Sequence, residues 1–101
     1  MKDAISKFDK KTFTYTYTNN NWSFTNYFDG SLRISEVGER GTLRERVAIS
    51  EYPDEVYVIT WEDEEMGPIT QVVNFKDNTL VCAIKWEEKM EIWPGVITES
   101  K

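Results

Sequence analysis

The chain contains no histidine. Imidazole is the usual side-chain base near neutral pH and a common metal ligand. Its absence excludes Ser-His-Asp and Cys-His catalysis and His-ligated zinc or iron. Any acid–base work falls to Asp, Glu, Tyr, Lys or Arg. There is one cysteine, Cys82, so no internal disulfide can form, which suits a reducing compartment. No neighbour in sequence would lower the Cys82 pKa, so it reads as an inert buried thiol. No run of about 18 apolar residues is present, and hence no spanning helix is expected. The opening stretch, Met1 to Lys10, has no apolar signal core. Basic charge is also scarce, with 12 Lys and Arg against 18 Asp and Glu and a net charge of −6. Nucleic acid and anionic membrane surfaces both need a basic face, so neither is expected as a partner. A soluble, cytoplasmic protein is the expectation. At 101 residues the chain suits one domain, 1–101.

What is present is alternation. In Thr12-Phe13-Thr14-Tyr15-Thr16-Tyr17-Thr18 every odd position is aromatic and every even one is threonine. That is a strand with an aromatic face and a hydroxyl face, and it sets Tyr15 and Tyr17 about 7 Å apart on one side. Period two continues through 21–28, 31–37, 43–50, 55–63, 68–76, 79–86 and 89–98. Asn19-Asn20-Asn21, Asp29-Gly30, Gly38 to Gly41, Pro53-Asp54, Gly67-Pro68 and Asp77-Asn78 separate the runs. Eight strands joined by short turns, with no helix between them, close into an antiparallel up-and-down barrel whose interior is filled or holds one small ligand. Before them, Asp3 can cap a short helix that puts Ala4, Ile5 and Phe8 on one side, plugging or flanking a barrel end. The fold class is therefore all-β, an eight-stranded barrel with a short N-terminal helix. Strands 55–63, 68–76 and 79–86 carry apolar residues on both faces. The second face needs a cover, either the helix or a second subunit in a homodimer, or else it stays a patch.

Candidate site residues follow from parity. Tyr15 and Tyr17 either bind a carboxylate or phenolate inside the barrel or fill the core with hydroxyls at a wet rim. Trp61 and Asp63 share a face. If that face points inward, the acid gains a raised pKa and can serve as a general acid; if not, Asp63 begins the solvated turn Glu62-Asp63-Glu64-Glu65. That run lacks the alternating ligands and glycine of a calcium loop, and no metal site is expected. On 43–50, Leu43, Val47 and Ile49 oppose Arg44, Arg46 and Ala48, and Glu45 interrupts the apolar side. Arg44 and Arg46 face water or, if inward, a carboxylate or ligand anion. Trp22 and Phe24 read as core, and Trp86, Trp93 and Tyr27 as packing or interface.

The order Tyr15-Thr16-Tyr17, Trp22, the Gly/Arg stretch Gly38 to Arg46, and Val56-Tyr57-Val58-Ile59-Thr60-Trp61-Glu62-Asp63 resembles the phenolic acid decarboxylases and the MoaF-like proteins. Both are small barrels of the calycin (lipocalin-like) superfamily. Gln71-Val72-Val73-Asn74-Phe75 with Asn78-Thr79 is closer to the MoaF-like branch. The resemblance covers about Thr12 to Ile84. It implies a calycin-like barrel and, for the decarboxylases, carboxy-lyase action on p-hydroxycinnamic acids without a cofactor. A tyrosine pair and an arginine orient the substrate there, and a carboxylic acid protonates the alkene. Those roles fall on Tyr15, Tyr17, Arg44 (with Arg40 and Arg46 as alternatives) and Asp63, where the family carries a glutamate.

Three functions are thus in view. The first is a barrel binding a small aromatic or anionic ligand, a phenolic acid among the candidates, through Tyr15, Tyr17, Trp22, Trp61 and Arg44. The second is the carboxy-lyase. The third is a homodimeric interaction module with a filled interior.

Overall fold

The computed structural model describes residues 2–101; Met1 lies outside the described residues. Among the described residues, nine strands form one antiparallel sheet: β1 (Lys2–Asp3), β2 (Thr12–Tyr17), β3 (Ser23–Asp29), β4 (Leu32–Glu36), β5 (Thr42–Tyr52), β6 (Val56–Asp63), β7 (Gly67–Asn74), β8 (Thr79–Trp86) and β9 (Lys89–Ser100). A short helix, α1, spans Ile5–Phe8, and a 3-10 turn spans Gly38–Arg40. The order is β1-β5-β4-β3-β2-β9-β8-β7-β6, and a β5–β6 pairing closes β2 to β9 into an eight-stranded barrel.

The long strand β5 makes closure possible. Its first half, Thr42 to Arg46, pairs with β4, and its second half, Val47 to Tyr52, pairs with β6. On the side that β4 leaves, β1 adds Asp3 opposite Ser50. The β5–β6 ladder stops at Val47 opposite Trp61, so the wall between these strands is open beyond that point.

Strict alternation sends one residue in two inward. Phe13, Tyr15 and Tyr17 on β2, Tyr57, Ile59, Trp61 and Asp63 on β6, and Leu80, Cys82 and Ile84 on β8 are all buried. Gly95 on β9 is fitted to this packing. A Cβ there would lie 3.0 Å from the Thr16 carbonyl oxygen and 3.4 Å from Cδ1 of Tyr17, so glycine lets β9 approach β2 where the tyrosine turns in.

In an up-and-down barrel alternate turns share an end. At one end α1 drives Phe8 into the interior, with its ring 5.2 Å from Phe28 and 4.9 Å from Tyr57. The Asp3 carboxylate accepts the Ile5 backbone N–H at 2.9 Å, which holds the start of that helix. The helix thus plugs an end and does not cover the second apolar face. Val72, Val81, Ile92 and Val96 stay exposed on the outside of β7, β8 and β9. No helix among the described residues is long and apolar enough to cross a membrane.

Candidate functional site

The opposite end is open. A cavity of about 370 Å³ enters the barrel there, between the turns that follow β2, β4, β6 and β8. All four tryptophans of the chain line it, together with Tyr15, Tyr17 and Phe24. Trp22, Trp86 and Trp93 form a cluster on one side of the mouth, with ring centroids 5.4–5.8 Å apart in edge-to-face contacts. Tyr17 continues the cluster inward, 5.3 Å from Trp93. Edge-to-face packing of this kind fixes ring orientation as well as burying area.

Under the aromatic walls runs a buried polar network. Gln71 Nε2 donates to the Tyr17 hydroxyl at 2.9 Å, and Asn26 Nδ2 donates to Gln71 Oε1 at 3.4 Å. Asn26 Oδ1 accepts from the Tyr15 hydroxyl at 3.2 Å and from Arg33 Nε at 3.0 Å. Arg33 Nη1 reaches Glu45 at 2.6 Å, and its guanidinium lies over the Trp61 ring, 4.1 Å from the centroid. Asn26 and Gln71 have no exposure at all, so these partnerships are what make their burial tolerable. Burial, with Tyr15 and the Cys82 thiol beside it, pushes the Tyr17 phenol far above its ordinary range, and the group is neutral. Burial likewise raises Cys82.

Asp63 sits at the rim, as the last residue of β6. Arg40 grips it with two hydrogen bonds of 3.1 Å, and the backbone N–H groups of Glu65 and Met66 donate to the same carboxylate at 2.8 and 3.0 Å. Burial alone would raise its pKa, but Arg40 and the two amides outweigh it and hold the carboxyl below the usual range. Arg40 also lies 3.5 Å from Glu65. This ion pair crosses the gap left where the β5–β6 ladder ends.

The structure brings Tyr15, Tyr17, Trp61 and Asp63 into one cavity. Three expectations need correction. Asp63 is neither a raised-pKa acid nor a solvated turn residue; it is buried, ionised and paired. Trp22 is not core: it is 44% exposed at the mouth, because it leaves the turn Thr18 to Asn21 before β3 begins. Arg44 is exposed on the outer side of β5 and does not line the cavity, because Leu43 and Glu45 hold the inward positions. Arg33 and Arg40 are the guanidiniums of the interior. Sequence reasoning gave Asn26 and Gln71 no place in a site, and it read Trp86 and Trp93 as packing or interface where the structure has them line the cavity. Glu45 carried a usable signal: an acid on the inward parity of a strand implies a buried cation, and Arg33 lies directly opposite it in the β4–β5 ladder.

The chemistry on offer is that of a fitted box. Arg33 and Arg40 face carboxylates, and both tyrosine hydroxyls engage amides. Among the described residues no cluster of His, Cys, Asp and Glu could hold a metal ion.

No protein-family model and no curated protein matches the chain. A crystal structure of a "putative beta-lactamase" from Burkholderia vietnamiensis is similar over 93% of this chain and 95% of that one, with a TM-score of 0.76 and 16% identity. At that identity the likeness is one of fold, and it carries the barrel alone.

Proposed function

We propose that this barrel binds a small, planar, uncharged aromatic molecule in the tryptophan-lined cavity. The observation that carries this reading is the convergence of all four tryptophans on one cavity of about 370 Å³. That volume falls within the usual range for small-molecule sites, whose walls are mostly apolar with a few placed polar groups. Aromatic walls favour a flat, apolar ligand. The charges argue against an anion. The four charged residues of the lining are Arg33, Arg40, Asp63 and Glu65, two of each sign, and both arginines are ion-paired. An anionic ligand would have to displace a carboxylate to find a cation.

The carboxy-lyase reading has the tyrosine pair in its favour, but it needs a proton donor where Asp63 stands. A carboxylate held ionised by Arg40 and two amides is a poor one. A thermal-shift screen tests the proposal, with benzaldehyde, indole and coumarin set against p-coumarate and ferulate. A ligand at 100 times its Kd adds about 2.7 kcal/mol, or on the order of 10 °C in Tm for a domain of this size. The neutral aromatics are expected to stabilise and the cinnamates to lag. No shift with any of the five would sink the reading.

A further inference from the structure

The cavity wall holds a charged group whose charge is answered but whose donors are not all used. Arg33 points inward from β4, its side chain is 5% exposed, and it lines the cavity. Its Nε donates to Asn26 Oδ1 at 3.0 Å and its Nη1 to Glu45 Oε1 at 2.6 Å, but Nη2 makes no hydrogen bond within the protein. Among the described residues, the fully buried side-chain polar atoms without a partner are Ser35 Oγ and Trp61 Nε1, and Arg33 Nη2 is not one of them. Nη2 therefore keeps accessible surface. On an inward side chain in the wall of an open cavity, that surface faces the cavity. The group is also fixed in place. Asn26 and Glu45 hold two corners of the fork, and the Trp61 ring lies against it, with its centroid 4.1 Å from Cζ. A donor positioned before the ligand arrives loses little freedom on binding.

A guanidinium only donates, so whatever meets Nη2 must be an acceptor. Glu45 sets the charge of that acceptor. Its carboxylate already balances Arg33 and is itself 10% exposed, so a second carboxylate on the same guanidinium would crowd two like charges in a poorly solvated place. A carbonyl oxygen or ring nitrogen takes the N–H without that cost. Resting on the binding function proposed above, we infer that Arg33 Nη2 is the specificity donor of the site, and that the ligand carries a neutral hydrogen-bond acceptor on its aromatic frame. The aromatic walls recognise shape, and this group recognises chemistry. Such a site discriminates by leaving its donor unpaired, and cut off from water, when the wrong molecule enters.

The test compares acetophenone with α-methylstyrene, which share one frame and differ by C=O against C=CH2. In the ¹H–¹⁵N spectrum of the wild-type protein, both are expected to move the indole N–H resonances of the cavity. Only acetophenone should move the Arg33 guanidinium N–H resonances downfield, because ring-current effects are common to the pair. Arg33→Lys keeps a cation opposite Glu45 and removes Nη2. It is expected to shift the ratio of the two affinities against acetophenone by roughly tenfold. Identical Arg33 shifts with the two ligands, or an unchanged ratio in the variant, would overturn the inference and leave the binding cavity standing. No indole response to either ligand would overturn both. The wild-type spectrum decides the matter even if Arg33→Lys does not fold.

Discussion

Replacing Asp63 with asparagine separates a structural carboxylate from a catalytic acid. The side chain of Asp63 is 3% exposed and that of Arg40 is 23% exposed. Asparagine keeps an oxygen for the Glu65 and Met66 amides. It loses the charge, and its amide turns a donor toward the guanidinium. Breaking a fully buried ion pair costs about 3–5 kcal/mol. Arg40 can reach water and retains Glu65 at 3.5 Å, so the figure here falls to about 2 kcal/mol. For a domain of this length that is on the order of 8–16 °C in Tm.

The pH dependence carries the sign. Asp63 has a folded pKa below its unfolded value near 3.8. Its contribution is therefore fully present above that unfolded value and is lost as pH falls through the folded one. Urea unfolding of the wild type and Asp63→Asn should show a constant gap from pH 7 to about 4 that narrows under stronger acid. A variant within about 0.5 kcal/mol of wild type at pH 7, or a gap that persists in acid, would refute the assignment.

Three further outcomes are expected. Phe8→Ala should destabilise by about 3 kcal/mol, because it empties the contact with Phe28 and Tyr57 at the plugged end; calorimetry reads it, and a change below about 1 kcal/mol would mean the plug is dispensable. Gly95→Ala should cost about 1–2 kcal/mol in urea unfolding, because the new methyl meets a backbone carbonyl at 3.0 Å that cannot turn aside, and a neutral result would contradict that packing. The uncovered face of Val72, Val81, Ile92 and Val96 has a second copy of the chain as its proposed cover. Sedimentation should then show a concentration-dependent dimer that Val81→Lys abolishes, and a monomer at every concentration would remove that proposal.

The barrel was legible because its signal is local. Each run of alternating residues names its own strand, and turn residues such as Gly30 and Asn78, both at positive φ, separate the runs without reference to the rest of the chain. The aromatic part of the site followed from the same parity, which put Tyr15, Tyr17 and Trp61 inside. The polar part did not. Asn26 meets a partner 45 residues away in Gln71, and Gln71 meets Tyr17 across 54. Parity says that such side chains point inward but not which others they meet across the barrel. Asp63 was misjudged for a related reason: its pKa is governed by Arg40, on a loop 23 residues earlier, and not by its indole neighbour. The tryptophan cluster could have been found. Trp22 sits beside the turn after β2, and Trp86 and Trp93 flank the turn after β8. In an up-and-down barrel those turns lie at the same end.

Because every tryptophan lines the cavity, tryptophan emission reports on that cavity. Titration with a small neutral aromatic such as coumarin is therefore the most direct test of the binding function. The expected result is a saturable change in tryptophan emission with one ligand per chain. Emission unchanged at saturating ligand, after correction for absorbance, would contradict it.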